Sequence, residues 1–167
     1  MTYQTAITVN SSKEEPQGFT HSPVSQSFSA LLLALRSAVE AEIDSLEADI
    51  HSVAFKKRMN DAAVDWRLVY NFVRTVLAQK PSRPEDLELH YIASLIALST
   101  SFEHSEDCPA YNLLVRDYSP IIQCCAESPT GRRTIEMIEI ARKSFKTLDR
   151  AVLGRDPRAE TQAVAAK

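Results

Sequence analysis

Apolar residues recur every three or four positions from Phe28 onward. Phe28, Leu31, Leu35, Val39, Ile43, Leu46, Ile50 and Val53 form one stripe, and Glu40, Glu42, Asp44, Glu47 and Asp49 take the other face. That spacing is helical. No glycine or proline, the strongest breakers of regular structure, interrupts Val24 to Lys80. The segment therefore predicts one very long helix or two long helices joined tightly. Ser25 or Ser27 can cap its start, and Asn60-Asp61 offers the best internal break, with Asn as cap and Asp at the positive end of a new helix. The second helix then runs to Gln79. Its apolar residues, from Ala62 through Trp66, Val69, Tyr70 and Val73 to Leu77, cover roughly 200° of circumference. An arc that wide calls for at least two neighbours.

Lys80-Pro81-Ser82-Arg83-Pro84-Glu85 marks a boundary in which Ser82 and Glu85 have capping-box spacing. The third helix, Glu85 to Phe102, carries Leu87, Leu89, Tyr91, Ile92, Leu95, Ile96 and Leu98, and is expected to be the most buried. A quieter strip holds His90, Ala93, Ser94, Ala97 and Ser101. A polar loop follows, then a short helix from Ala110 to Tyr118, a restart at Ser119-Pro120, and a last helix opened by Ser128-Pro129. There Ile135, Ile138, Ala141, Phe145, Leu148 and Val152 keep a heptad-like spacing, and Gly154 supplies a stop. The expectation is an all-α fold: a single-domain helical bundle of five to six helices with a long N-terminal helical pair, arranged around the third and last helices. The domain spans residues 25–154, between tails at 1–24 and 155–167.

Length and composition narrow the function classes. At 167 residues the chain fits one domain with a sizeable core. Its 3 glycines cannot build a repeated-glycine loop for phosphates, and no Gly-x-Ser-x-Gly or His-Glu-x-x-His occurs. A net charge of −3 argues against a general affinity for nucleic acid or anionic membrane. The charge is uneven: residues 1–50 hold Lys13 and Arg36 against seven acids, whereas residues 130–167 hold nine bases against five acids. Such asymmetry can guide helix packing or pair two chains antiparallel. The odd count of 3 cysteines, with Cys124 and Cys125 adjacent, opposes a disulfide framework and favours the cytoplasm. The longest strongly apolar run, Ala30 to Leu35, is far short of a membrane span.

Several constellations could carry chemistry. Trp66 and Tyr70 on the second helix, with His90 and Tyr91 on the third, could line a ligand pocket between those helices. His104, Glu106, Asp107 and Cys108 concentrate metal-ligand types in one loop. The Cys124-Cys125 pair could respond to oxidation, but consecutive helical residues point about 100° apart, which suits two small core residues better. His51, on the acidic first helix, lacks the glycine that favours access to a phosphoryl acceptor. Asp65 interrupts the apolar arc of the second helix and is expected to face solvent near the helix start. Lys56, Lys57, Arg58, Arg67 and Arg74 form the best basic patch, but without a reading element for nucleic acid.

No catalytic signature stands out and no cofactor is implied. The leading expectation is a non-enzymatic protein-interaction or regulatory module acting through helix surfaces, as a homo-oligomer or with a protein partner and without a membrane. The alternatives are a small-molecule-binding bundle and a metal- or redox-linked helical protein.

Overall fold

A computed structural model describes residues 21–100, 108–115 and 128–153. Five helices account for almost all of them: α1 Pro23–Leu46, α2 Val53–Ala78, α3 Pro84–Ser99, α4 Pro109–Val115 and α5 Pro129–Leu153. The described residues contain no strand. The fold is an all-α bundle.

α1 starts earlier than Ser25. Ser22 is the cap, its hydroxyl accepting the Ser25 N–H at 3.1 Å, and Pro23 occupies the first turn, where its missing N–H costs nothing. Val24, Phe28, Leu31, Leu35 and Ala38 on this helix are completely buried. Each large side chain among them contributes about 1.5–3 kcal/mol by leaving water. The stripe loses its partner beyond Ile43: Ile50 and Val53 are exposed.

The break between the two long helices lies at residues 47–52, not at Asn60-Asp61, which sit inside α2. Asp49 Oδ1 accepts the His51 N–H at 3.0 Å, and the Asp49 carbonyl accepts the Ser52 N–H at 2.9 Å. Ser52 Oγ then caps α2 by accepting from Phe55 N at 3.2 Å. His51 thus lies in this turn rather than on the first helix.

α2 returns antiparallel along α1, and this is the most extensive helix interface among the described residues. Its buried contacts, Ala62, Val69, Val73 and Val76, are small or β-branched, which lets the two backbones approach closely. Polar contacts fix the register: Ser37 Oγ donates to Asp65 Oδ2 at 2.8 Å, and Gln79 Nε2 donates to Ser27 Oγ at 2.7 Å. Asp65 is therefore half-buried against α1 in mid-helix, not solvated near a helix start.

The start of α3 depends on Asp86 rather than Glu85. The buried Asp86 carboxylate accepts from Ser82 N, Ser82 Oγ and Arg83 N, and also from Ser22 Oγ at the start of α1. Ser128 Oγ caps α5 through Gly131 N at 2.8 Å and lies 3.5 Å from Glu85 Oε1. The starts of α1, α3 and α5 thus gather at one end of the bundle, and these three helices run the same way. α3 touches all four other helices, while α1 rather than α3 carries the longest run of buried side chains. α3 leaves Leu87, Tyr91 and Leu98 exposed on one side. The restart at Ser119-Pro120 and the stop at Gly154 lie outside the described residues.

Candidate aromatic cavity

At the opposite end the described residues leave a space between the helices. A cavity of about 650 Å³ lies where α2 separates from α4 and α5. α2 contributes Ala63, Trp66, Arg67 and Tyr70; α5 contributes Phe145, Leu148 and Val152. Glu42 enters from the end of α1, Ser99 and Thr100 from the end of α3, and Tyr111 from α4. The volume falls within the range of small-molecule sites, and the wall is mostly apolar with a few placed polar groups.

Helical spacing puts Trp66 and Tyr70 one turn apart on the same face of α2. The Trp66 indole N–H donates to Glu42 Oε2 at 3.1 Å, so it has the partner a half-buried indole needs. On the other wall Tyr111 and Phe145 meet edge to face, with centroids 5.9 Å apart and planes at 81°. The Tyr111 hydroxyl donates to Asp149 Oδ1 at 3.3 Å. Burial, and next the adjacent Asp149 carboxylate, push its ionisation well above the ordinary tyrosine range, so Tyr111 stays a neutral phenol.

The hydroxyls at the end of α3 are committed to the helix terminus. Ser99 Oγ donates to the Ile96 carbonyl at 2.9 Å, and Thr100 Oγ1 to the carbonyls of Ile96 and Ala97 at 3.0 and 3.1 Å. Neither is poised as a nucleophile beside a base.

The expected pocket residues divide. Trp66 and Tyr70 line the cavity, whereas His90 and Tyr91 do not. His90 is half-buried on α3; its Nε2 has no hydrogen-bond partner among the described residues, and its carbonyl accepts from Ser94 Oγ at 2.9 Å. Of the expected metal ligands, only Cys108 is described; its thiol is buried 3.9 Å from the Leu98 carbonyl. His104, Glu106 and Asp107 lie outside the described residues, as do Cys124 and Cys125. Among the described residues no three His, Cys, Asp or Glu side chains converge as metal ligands.

The basic residues are all exposed, but helical spacing divides them: Lys56, Arg67 and Arg74 share one side of α2, and Arg58 lies opposite Arg67. Arg58 donates to the Asp44 carbonyl at 3.1 Å, and Arg67 Nε turns back to the Ala63 carbonyl at 3.2 Å. Among the described residues no helix is long and apolar enough to cross a membrane.

Sequence reasoning missed Glu42, Tyr111 and Phe145. Trp66 held a usable signal for Glu42, since a buried indole demands an acceptor and Glu42 faces the returning helix. Tyr111 and Phe145 reach the site only through tertiary packing. No protein-family model matches the chain, and comparisons with curated proteins and with solved structures find no match either.

Proposed function

We propose that this protein is a non-enzymatic small-molecule-binding bundle whose ligand occupies the cavity between α2, α4 and α5. The observation that carries the reading is the convergence of Trp66, Tyr70, Tyr111 and Phe145, from three helices, on one space of about 650 Å³. Trp66 and Tyr70 keep surface exposed beside this space, over a floor that includes the packed Tyr111–Phe145 pair, and so supply apolar contact area to a guest. The tied hydroxyls of Ser99 and Thr100 favour binding over catalysis. The cytoplasm is the compartment this reading assumes, since it keeps the thiols reduced.

Native mass spectrometry of the gently isolated protein tests it. A retained mass of a few hundred daltons, lost in a variant with Ala63→Phe, is the expected result. A guest that Ala63→Phe leaves bound would place the site elsewhere.

A second reading, a protein-interaction module that self-associates, draws on α3. Leu87, Tyr91 and Leu98 follow an i, i+4, i+11 spacing and are 61, 37 and 52% exposed. Sedimentation of the wild type against Leu87→Glu/Leu98→Glu checks it: an oligomer that the double variant converts to monomer would favour this reading.

A further inference from the structure

We propose that the guest of this cavity is an organic cation, an alkylated ammonium group carried on an apolar body; the inference rests on the cavity being a binding site.

Three independent features of the wall share one sign. The first is the aromatic lining. Ring faces are electron-rich, and a cation within reach of several is attracted to each. Trp66 and Tyr70 on α2 keep exposed surface beside the space, whereas Tyr111 and Phe145 line it as a buried edge-to-face pair.

The second is Glu42. Its carboxylate is oriented by a neutral donor, the Trp66 indole, and among the described residues it forms no ion pair. A negative charge thus sits on the wall with no positive side chain bonded to it. Asp149 adds another negative group immediately behind the Tyr111 hydroxyl.

The third is the direction of the helices. Because α1, α3 and α5 run the same way, their starts gather around Ser22, Asp86 and Ser128, and their C-terminal portions meet the cavity. Glu42 belongs to the last two turns of α1, and Ser99 and Thr100 end α3. Helix C-termini carry partial negative charge, so the dipoles of these three helices act in the same sense as the carboxylates, while the positive start of α2 at the same end lies more than three turns from Trp66.

Arg67 is the one opposing charge on the wall. It is exposed and folded back onto its own helix, where solvent weakens its field. An ordered anion at Arg67 would share the cavity wall with the Glu42 carboxylate, which repels it.

The chain has 1 tryptophan, and it lines the cavity, so intrinsic emission reports directly on occupancy. Three probes of one shape separate the possibilities: benzyltrimethylammonium, the neutral neopentylbenzene and the anionic benzylsulfonate. The expected result is that the cation shifts Trp66 emission at a concentration roughly tenfold lower than neopentylbenzene, with benzylsulfonate weakest. Glu42→Gln, which keeps an acceptor for the indole, should remove most of the cation's advantage over neopentylbenzene. Arg67→Gln should leave the ranking unchanged. Neopentylbenzene binding as well as the cation, or a preference for benzylsulfonate that Arg67→Gln abolishes, would overturn the inference while leaving the cavity as a binding site. No response to any of the three at millimolar concentration would overturn the inference and count against the binding reading as well.

Discussion

Asp86 holds the closed end of the bundle through one carboxylate. Its side chain is only 2% exposed, and burial alone would favour the protonated form. The hydrogen bonds from Ser22, Ser82 and Arg83 outweigh burial and hold the carboxyl below the ordinary aspartate range. Protonation in the folded chain would weaken those bonds, so the folded state binds the proton less tightly than the unfolded chain does. The stabilisation is therefore fully present above the unfolded value, near 4, and is lost as pH falls through the lower folded value. Asp86→Ala should cost about 2–3 kcal/mol at neutral pH, because it strands the buried Ser22 hydroxyl at the start of α1 and removes the cap of α3. Urea denaturation should show this gap closing as the pH drops below about 4. A gap that stays constant down to pH 2 would mean Asp86 acts through packing rather than charge. Proline and serine near residue 82 announced this cap; choosing Asp86 over Glu85 required knowing that Ser22 arrives from α1.

The turn between α1 and α2 shows where element-level reading runs out. Helix existence was legible, since both stripes have the right period and the segment lacks breakers. Its breakpoint was not. Dipole logic places acids at helix starts and bases at helix ends, and this corner does the reverse: Asp44 lies in the last turn of α1, and Lys56, Lys57 and Arg58 lie in the first turns of α2. Each end is unfavourable alone. Together they complement each other, with Arg58 reaching across to the Asp44 carbonyl, one of the last of α1. That compensation is tertiary, so local rules pointed to Asn60-Asp61 instead. Proline substitution distinguishes the two. Asn60→Pro falls in the interior of α2 and should cost about 3 kcal/mol or more, measured by chemical denaturation. A nearly neutral Asn60→Pro would restore the break at that position. Ser52→Ala, at the observed cap, should cost about 1 kcal/mol.

On the scale of the whole molecule, α1, α3 and α5 run parallel, so the two ends of the bundle gather different helix termini. The closed end places Glu85 and Asp86 at a helix start, where the dipole favours them. The other end holds the cavity above the packed Tyr111, Phe145 and Leu148, where α1, α3 and α5 finish and α2 begins with Lys56, Lys57 and Arg58. α2 packs on α1 rather than α5, which leaves a space between α2 and α5 beside Trp66. Filling that space should therefore cost little in stability while abolishing binding. Ala63 is exposed at the cavity wall, so Ala63→Phe adds a ring to open volume rather than to packed core. Its melting temperature should stay at or above that of the wild type, and the ring should shield Trp66 and shift its emission to the blue without any ligand. Phe145→Ala acts in the opposite sense. It removes a side chain only 1% exposed, enlarges the cavity, and should cost about 3–5 kcal/mol. If Ala63→Phe instead destabilised the protein as strongly as Phe145→Ala, the space beside Trp66 would be closed in solution. The contrast between the two variants thus tests whether the space beside Trp66 is a vacancy that the fold can spare for a guest.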